Sequence, residues 1–356
     1  MSTPARPKQP TIRDIAARAG VAPMTVSRAI NDSGYVSADA RERISLAVKE
    51  LDYHPNGLAR SLKRRRTHVV GILLPDIGHP FSAELGKHLE ETFLARGYTS
   101  FISTSQRSSQ REQAALNAFF DHRVDGIVVA TLETRAGNDA LLRMINRGVP
   151  IVIVGRTLNH PHVDQVNADH WKGGHEMVRH LVELGHRRIG FIGATVPMSA
   201  SVARFQGFVD GLREHGCAVS SDLIVGPDAE SPAFATQEEG YEGMRKLASM
   251  SQPPTAVFAR NDAVAMGALR AARDLGLSVP GDIAIAGFDN LPISAYTSPP
   301  LTTVNQPTAI LGHRAAEFVL DRIEGRTGSE RRDLRLDCEV VVRESTLGRA
   351  AQASTV

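Results

Sequence analysis

Residues Thr11-Ile-Arg-Asp-Ile-Ala-Ala-Arg-Ala-Gly-Val-Ala-Pro-Met-Thr-Val-Ser-Arg-Ala-Ile-Asn31 decide how the head of this chain is read, because they spell two short helices around a tight turn. Ala16, Gly20 and Val26 are spaced as that bend requires: a small residue where the helices touch, a turn glycine, and a β-branched core residue on the second helix. Ile15, Ala19, Val21 and Ile30 supply the other apolar contacts. Pro23 suits a first helical turn, where its missing N–H would find no partner anyway. Met24, Thr25, Ser27 and Arg28 then fall on the exposed face of the second helix. A third helix is expected from Ser37 through Leu51, with Ile44, Ala47, Val48 and Leu51 at three- and four-residue intervals.

The next stretch, His54-Pro-Asn-Gly-Leu-Ala-Arg-Ser-Leu-Lys-Arg-Arg-Arg66, is basic and sets Leu58, Ala59 and Leu62 at helical spacing, an order from which a solvated linker gains nothing. Residues 1–66 hold 13 Lys+Arg against 6 Asp+Glu, a balance of +7. Against whole-chain totals of 41 and 39, that leaves 28 against 33, or −5, for the remainder. A basic head on a mildly acidic body suits contact with a polyanion.

From His68 onward, apolar runs alternate with helical stretches: Val69–Leu74, Gly126–Val129, Pro150–Val154, Arg188–Ile192, Thr255–Phe258 and Ile283–Ala286. Continuous apolar runs between helices indicate parallel strands buried on both faces, so the expected class is α/β, doubly wound. The pattern occurs before and again after about residue 165, which implies two similar lobes. In such sheets ligands bind beyond the carboxyl ends of the strands.

The head resembles the lactose/galactose repressor family through Asp14-Ile-Ala, Ala19-Gly-Val, Thr25-Val-Ser-Arg, Tyr53-His-Pro-Asn and Ala59-Arg-Ser-Leu62. The resemblance continues to about Thr346 through His79-Pro-Phe-Ser-Ala-Glu84, Val124-Asp-Gly-Ile-Val128, Leu184-Gly-His-Arg-Arg-Ile189, Asn261-Asp-Ala-Val-Ala-Met-Gly267, Gly287-Phe-Asp-Asn290, Leu301-Thr-Thr-Val-Asn-Gln306 and Val342-Arg-Glu-Ser-Thr346. It implies a helix-turn-helix head over residues 1–67, with a hinge helix at about 56–63. It also implies a periplasmic-binding-protein-like core over 68–346 and a tail over 347–356. The core's lobes would be about 68–167 with 305–334, and about 168–304 with 335–346.

On this resemblance the Pro23–Asn31 helix lies in the major groove of double-stranded operator DNA, where Arg28 can donate two hydrogen bonds to guanine. Thr25, Ser27 and Asn31 are placed for phosphates, and Thr11 joins the DNA-contacting set. Pro23 and Met24 stand where the family often carries polar base-readers, so their readout would be apolar. Asn56, Ala59, Arg60, Leu62 and Lys63 belong to the hinge, with Leu62 wedged between base pairs at the operator centre. Two hinges meet there, implying a homodimer on a pseudo-palindrome. The tail has no apolar heptad, so a dimer is expected over a tetramer.

The core cleft is expected to take a small polar effector, a sugar or sugar acid, through Phe81, Ser82, Thr131, Arg156, Arg204, Asn261, Asp289 and Gln306. Asp289 could accept sugar hydroxyls, Arg204 could grip neighbouring oxygens, and Phe81 could pack a pyranose face.

An enzyme or a sugar-binding protein fused to a DNA-binding head is the rival reading. No GxGxxG, GxxxxGK[ST] or GxSxG motif occurs, so no cofactor and no catalytic residue is expected. His175 and His180 are five residues apart, which sets them about 140° apart around a helix and off one metal-binding face. Cys217 and Cys338 are read as buried free thiols. The amino terminus has no apolar stretch behind its charges and no run of eighteen apolar residues occurs, so the protein is expected to stay in the cytoplasm.

Overall fold

The computed structural model describes residues 10–53, 66–106, 108–130, 135–193, 199–226 and 236–347. The chain divides into two compact units, Met1–Thr67 and His68–Val356.

The head contains α1 (Ile12–Ala19), α2 (Pro23–Asn31) and α3 (Ala38–Glu50). Thr11 caps α1: its hydroxyl accepts from the Asp14 amide, and the Asp14 carboxylate accepts from the Thr11 amide at 2.7 Å. Gly20 ends α1 at φ +66°, a left-handed conformation that costs a side-chain-bearing residue energy and glycine almost none. Pro23 opens α2, and Ser37 caps α3. Ile15, Ala16, Ala19, Val26, Ile44, Ala47 and Tyr53 form the buried core. Arg43 of α3 donates to the Ala19 carbonyl at 3.1 Å, satisfying an orphan group at the end of α1.

The body builds the expected parallel α/β architecture as two sheets. The larger runs in the order β11-β5-β4-β3-β1-β2, from β1 (Val69–Leu74), β2 (Thr99–Thr104), β3 (Gly126–Val129), β4 (Ile151–Val154), β5 (Asp164–Ala168) and β11 (Asp333–Leu336). The smaller runs β7-β6-β8-β9, from β6 (Ile189–Ile192), β7 (Ile224–Val225), β8 (Ala256–Ala259) and β9 (Ala284–Ala286). Among the described residues all their pairings are parallel, for example Val70 with Gly126 and Phe191 with Phe258. The short strands β10 (Thr303–Asn305) and β12 (Glu339–Val341) pair antiparallel beside them.

The helices that matter for the cleft are α4 (Pro80–Ala95), α5 (Ser109–Asp121), α7 (His170–Glu183), α8 (Ser199–Glu214) and α10 (Asp262–Asp274), with α6 (Arg135–Asn146), α9 (Gln237–Ala248) and α11 (Thr308–Glu324) completing the set. β1, β3, β4, β6, β8 and β9 coincide with the apolar runs in the sequence. β2 and β5 do not. β2 is an edge strand with half its side chains in water, and β5 begins Asp-Gln, which reads as loop. Those two polar side chains are buried because each finds partners: Asp164 pairs with Arg322 and Arg332, and Gln165 donates to the Leu158 carbonyl.

Candidate functional site

On the head, α2 presents an exposed Pro23, an exposed Met24 and an exposed Arg28, with Thr25, Ser27 and Asn31 half-buried. The Asn31 amide donates to the Ser27 carbonyl at 2.8 Å, so one of its polar atoms is already engaged within the helix. Thr11 is exposed, and its hydroxyl is shared with Asp14. The first turn of α2 carries no acidic side chain, which leaves the positive end of its dipole uncompensated by its own residues. Asn56, Ala59, Arg60, Leu62 and Lys63 lie outside the described residues.

In the body, the loops at strand ends carry the chemistry. β9 runs into Gly287-Phe288-Asp289, β8 into Arg260-Asn261, and β4 into Gly155-Arg156. Asp289 sits at φ +114°, a strained position for a residue with a side chain. Its carboxylate is 3.2 Å from Nη2 of Arg204 and accepts from the Gln306 amide. Arg204 also donates to the Arg260 carbonyl at 2.8 Å, lies 3.8 Å above the Phe288 ring, and directs Nε to Nδ1 of His170 at 3.3 Å. Phe81, Asp289 and Gln306 line one cavity of about 340 Å³, so three of the expected residues converge there and Arg204 joins them through Asp289. Thr131 lies outside the described residues.

Three residues stand apart from that group. Arg156 is 2 % exposed and pairs with the equally buried Glu112 at 3.2 Å; it borders a second cavity of about 100 Å³. Asn261 caps α10, accepting from the Val264 amide at 3.0 Å, and its amide nitrogen approaches Nε2 of His79 at 3.5 Å. Ser82 is buried in α4.

Sequence reasoning missed Asp262 and His170. Asp262 is fully buried and accepts from the Leu291 amide at 2.8 Å, from Ser294 at 2.6 Å and from Thr303. It thereby fastens the segment that carries Asp289. Burial, then the charge of Asp289, push its carboxyl up to about 7 against those hydrogen bonds. Gly287 makes room for it, since a Cβ there would stand 2.4 Å from the Asp262 carboxylate. In sequence, an acidic residue in a first helical turn signals only a dipole partner. His170 is held well below the usual imidazole range by burial, then by Arg204 and Arg335.

His175 and His180 turn to different partners, Glu214 at 2.6 Å and Thr346 at 3.0 Å. Among the described residues no group of three His, Cys, Asp or Glu is placed to hold a metal, and no helix is long and apolar enough to cross a membrane. Cys217 and Cys338 are both free and buried, and burial lifts the Cys338 thiol to about 12.

A helix-turn-helix head and a two-sheet parallel body with a polar cleft define a ligand-responsive DNA-binding regulator. Residues 11–56 match the bacterial regulatory proteins of the lacI family, and residues 178–346 match the periplasmic binding protein-like domain. The HTH-type transcriptional repressor PurR of Pasteurella multocida (strain Pm70) is 34 % identical over 340 residues, covering 95 % of this chain and 99 % of that protein. The solved structure of the transcriptional regulator CelR in complex with cellobiose aligns with TM-score 0.71 and 34 % identity, over 94 % of this chain and 99 % of that one. The lac repressor dimer bound to operator and the anti-inducer ONPF aligns with TM-score 0.84 and 25 % identity, over 96 % and 100 %. The chain belongs to the lacI family of bacterial regulatory proteins. It is a DNA-binding transcriptional repressor of that family, working on operator DNA and a small-molecule effector, and not an enzyme.

Proposed function

We propose that the effector is a neutral polyhydroxylated molecule, a sugar rather than a sugar acid, held by Phe81, Arg204, Asp289 and Gln306. The observation that carries this reading is that both cleft arginines already face buried carboxylates, Arg156 with Glu112 and Arg204 with Asp289. An added anion would meet Asp289 and Glu112 as like charges in a weakly screened interior. A hydroxyl instead donates to Asp289 and accepts from Arg204 or Gln306, while Phe81 offers an apolar surface to a ring face. A cavity of about 340 Å³ is at the small end of ligand pockets, in keeping with a saccharide. The alignment with a regulator solved with cellobiose supports the same class.

The head reads a pseudo-palindromic operator as a homodimer. The exposed Arg28 donates to guanine, Met24 and Pro23 make apolar contact, and Thr11, Thr25, Ser27 and Asn31 meet the backbone. The alignment with a repressor solved as a dimer on its operator supports this arrangement. On the sequence resemblance alone, Leu62 is assigned the minor-groove wedge. Effector and operator affinities are coupled reciprocally: a ligand that weakens DNA binding is itself bound more weakly on DNA.

The test is thermal stabilisation of the full-length protein by neutral mono- and disaccharides, the matching uronic acids, phosphosugars and free nucleobases, since a ligand well above its Kd raises stability measurably. A neutral sugar is expected to stabilise and to change operator affinity. Stabilisation by acids, phosphates or bases alone would overturn the assignment. Selection from random duplex is expected to return a near-palindrome.

A further inference from the structure

We propose that His170 is an effector-binding residue: from a second chamber of the cleft, its Nε2–H donates a hydrogen bond to an uncharged acceptor oxygen of the ligand. This rests on the reading of the cleft as a carbohydrate site.

The chamber is the cavity of about 100 Å³, bordered among others by Arg156, Asn167, Asp169, His170, Trp171 and Arg335. His170 begins α7 and is 7 % exposed, yet one ring edge is committed: Nδ1 faces Nε of Arg204 at 3.3 Å. A guanidinium nitrogen only donates, so Nδ1 must offer its lone pair. A neutral imidazole then carries its proton on Nε2. Burial and the charges of Arg204 and Arg335 keep a second proton off the ring. Among the described residues, Nε2 has no acceptor. Nε2–H is therefore a donor on a residue that borders the cavity, with no acceptor among the described residues, so a ligand oxygen placed there would meet it directly.

Arg204 joins this chamber to the larger one. Its guanidinium reaches Asp289, which lines the first cavity, and His170, which lines the second. A ligand lying across Arg204 thus sets one part against Asp289, Gln306 and Phe81 and extends another to His170. At about 100 Å³ this chamber is less than a third of the 340 Å³ cavity, which suits it to an arm of the ligand. The acceptor is an uncharged oxygen because the bordering charges offset. Glu112 meets Arg156 at 3.2 Å, and the Asp169 carboxylate, which accepts from the Lys172 amide at 2.9 Å, sets a negative charge on the same cavity border as the exposed Arg335.

Full-length wild type, His170→Phe and His170→Gln are titrated with cellobiose, maltose and D-glucose by calorimetry, with each ligand-free melting temperature as the folding control. Nitrogen-15 NMR of the histidine rings reads the His170 tautomer without any substitution. The expected result is an Nε2–H tautomer whose resonance moves on saccharide binding, with affinity about tenfold lower in His170→Phe, the equivalent of about 1.4 kcal/mol, and largely restored in His170→Gln, whose amide can donate. An Nδ1–H tautomer, undiminished affinity in His170→Phe, or equal losses in both variants would overturn the proposal while the carbohydrate reading stands. If none of the three sugars binds wild type, the carbohydrate reading fails and this inference falls with it.

Discussion

Two buried arginines, one after β4 and one on α8, are treated differently by the structure. Arg156 and Glu112 are 1 % and 2 % exposed at their side chains and close on each other, a charge pair sealed within the lobe of the larger sheet. Arg204 meets Asp289, but the same guanidinium also serves a backbone carbonyl, a histidine and an aromatic face. Asp289 sits in a left-handed backbone conformation, and the nearby Asp262 shares its field. The contrast separates a pair that holds the protein together from one poised at a strained, multiply contacted point. Strain of that kind gathers where a ligand is bound.

The largest effect is expected for Arg204→Ala. It strips Asp289 of its buried counter-charge, at a cost of about 3–5 kcal/mol, and it should also abolish the operator response to the effector, read by operator titration with and without sugar. Arg156→Ala should lose a comparable stability in denaturant melts by stranding Glu112, again about 3–5 kcal/mol, while a sugar still shifts its melting temperature. If Arg156→Ala instead lost the sugar and kept its stability, the assignments of the two arginines would have to be exchanged.

Asp262→Asn probes the same contrast through pH. In the unfolded chain Asp262 loses its proton near 3.8, and in the folded protein near 7. Between those values the folded state holds a proton that the unfolded state has released, so this group's contribution to stability falls as pH rises through the window and is flat above it. His170 works in the opposite direction, since a suppressed imidazole costs stability as pH falls below its unfolded value of 6.5. The difference between wild-type and Asp262→Asn melting profiles isolates the first effect. It should slope from about pH 4 to 7 and vanish in slope beyond; a flat difference would remove Asp262 from the site's electrostatics.

The smallest effect is expected from Glu112→Leu with Arg156→Met. Replacing a sealed pair by apolar side chains of similar size is often neutral or stabilising, so the double variant should lie within about 1 kcal/mol of wild type. A large loss there would mean that the pair's polarity serves the cleft.

Much of the fold was legible in the chain. The head follows from spacing: Ala16, Gly20 and Val26 are a buried alanine, a left-handed turn glycine and a fully buried valine. The six apolar runs became buried strands, five of them central and β9 at the end of the smaller sheet, because burial on both faces of a parallel sheet demands unbroken apolar sequence. Edge strand β2 and the polar strand β5 carry no such signature. Their pairing comes from neighbours, and Asp164 is tolerated inside only because Arg322 and Arg332 arrive from far along the chain.

The site was legible in part. Sequence named Arg156, Arg204, Asp289 and Gln306, yet it contained nothing to show that Glu112 neutralises the first while a histidine and an aspartate share the second. Periodicity and turn chemistry are local properties, written in residues three, four or six apart, and they determined the head helices and the apolar strands, while short motifs carried the resemblance to the family. Which charges cancel, which carboxyl is deprived of water and which imidazole faces a guanidinium depend on groups separated by 17 to 44 residues or more. Only the folded chain brings those groups within reach of one another.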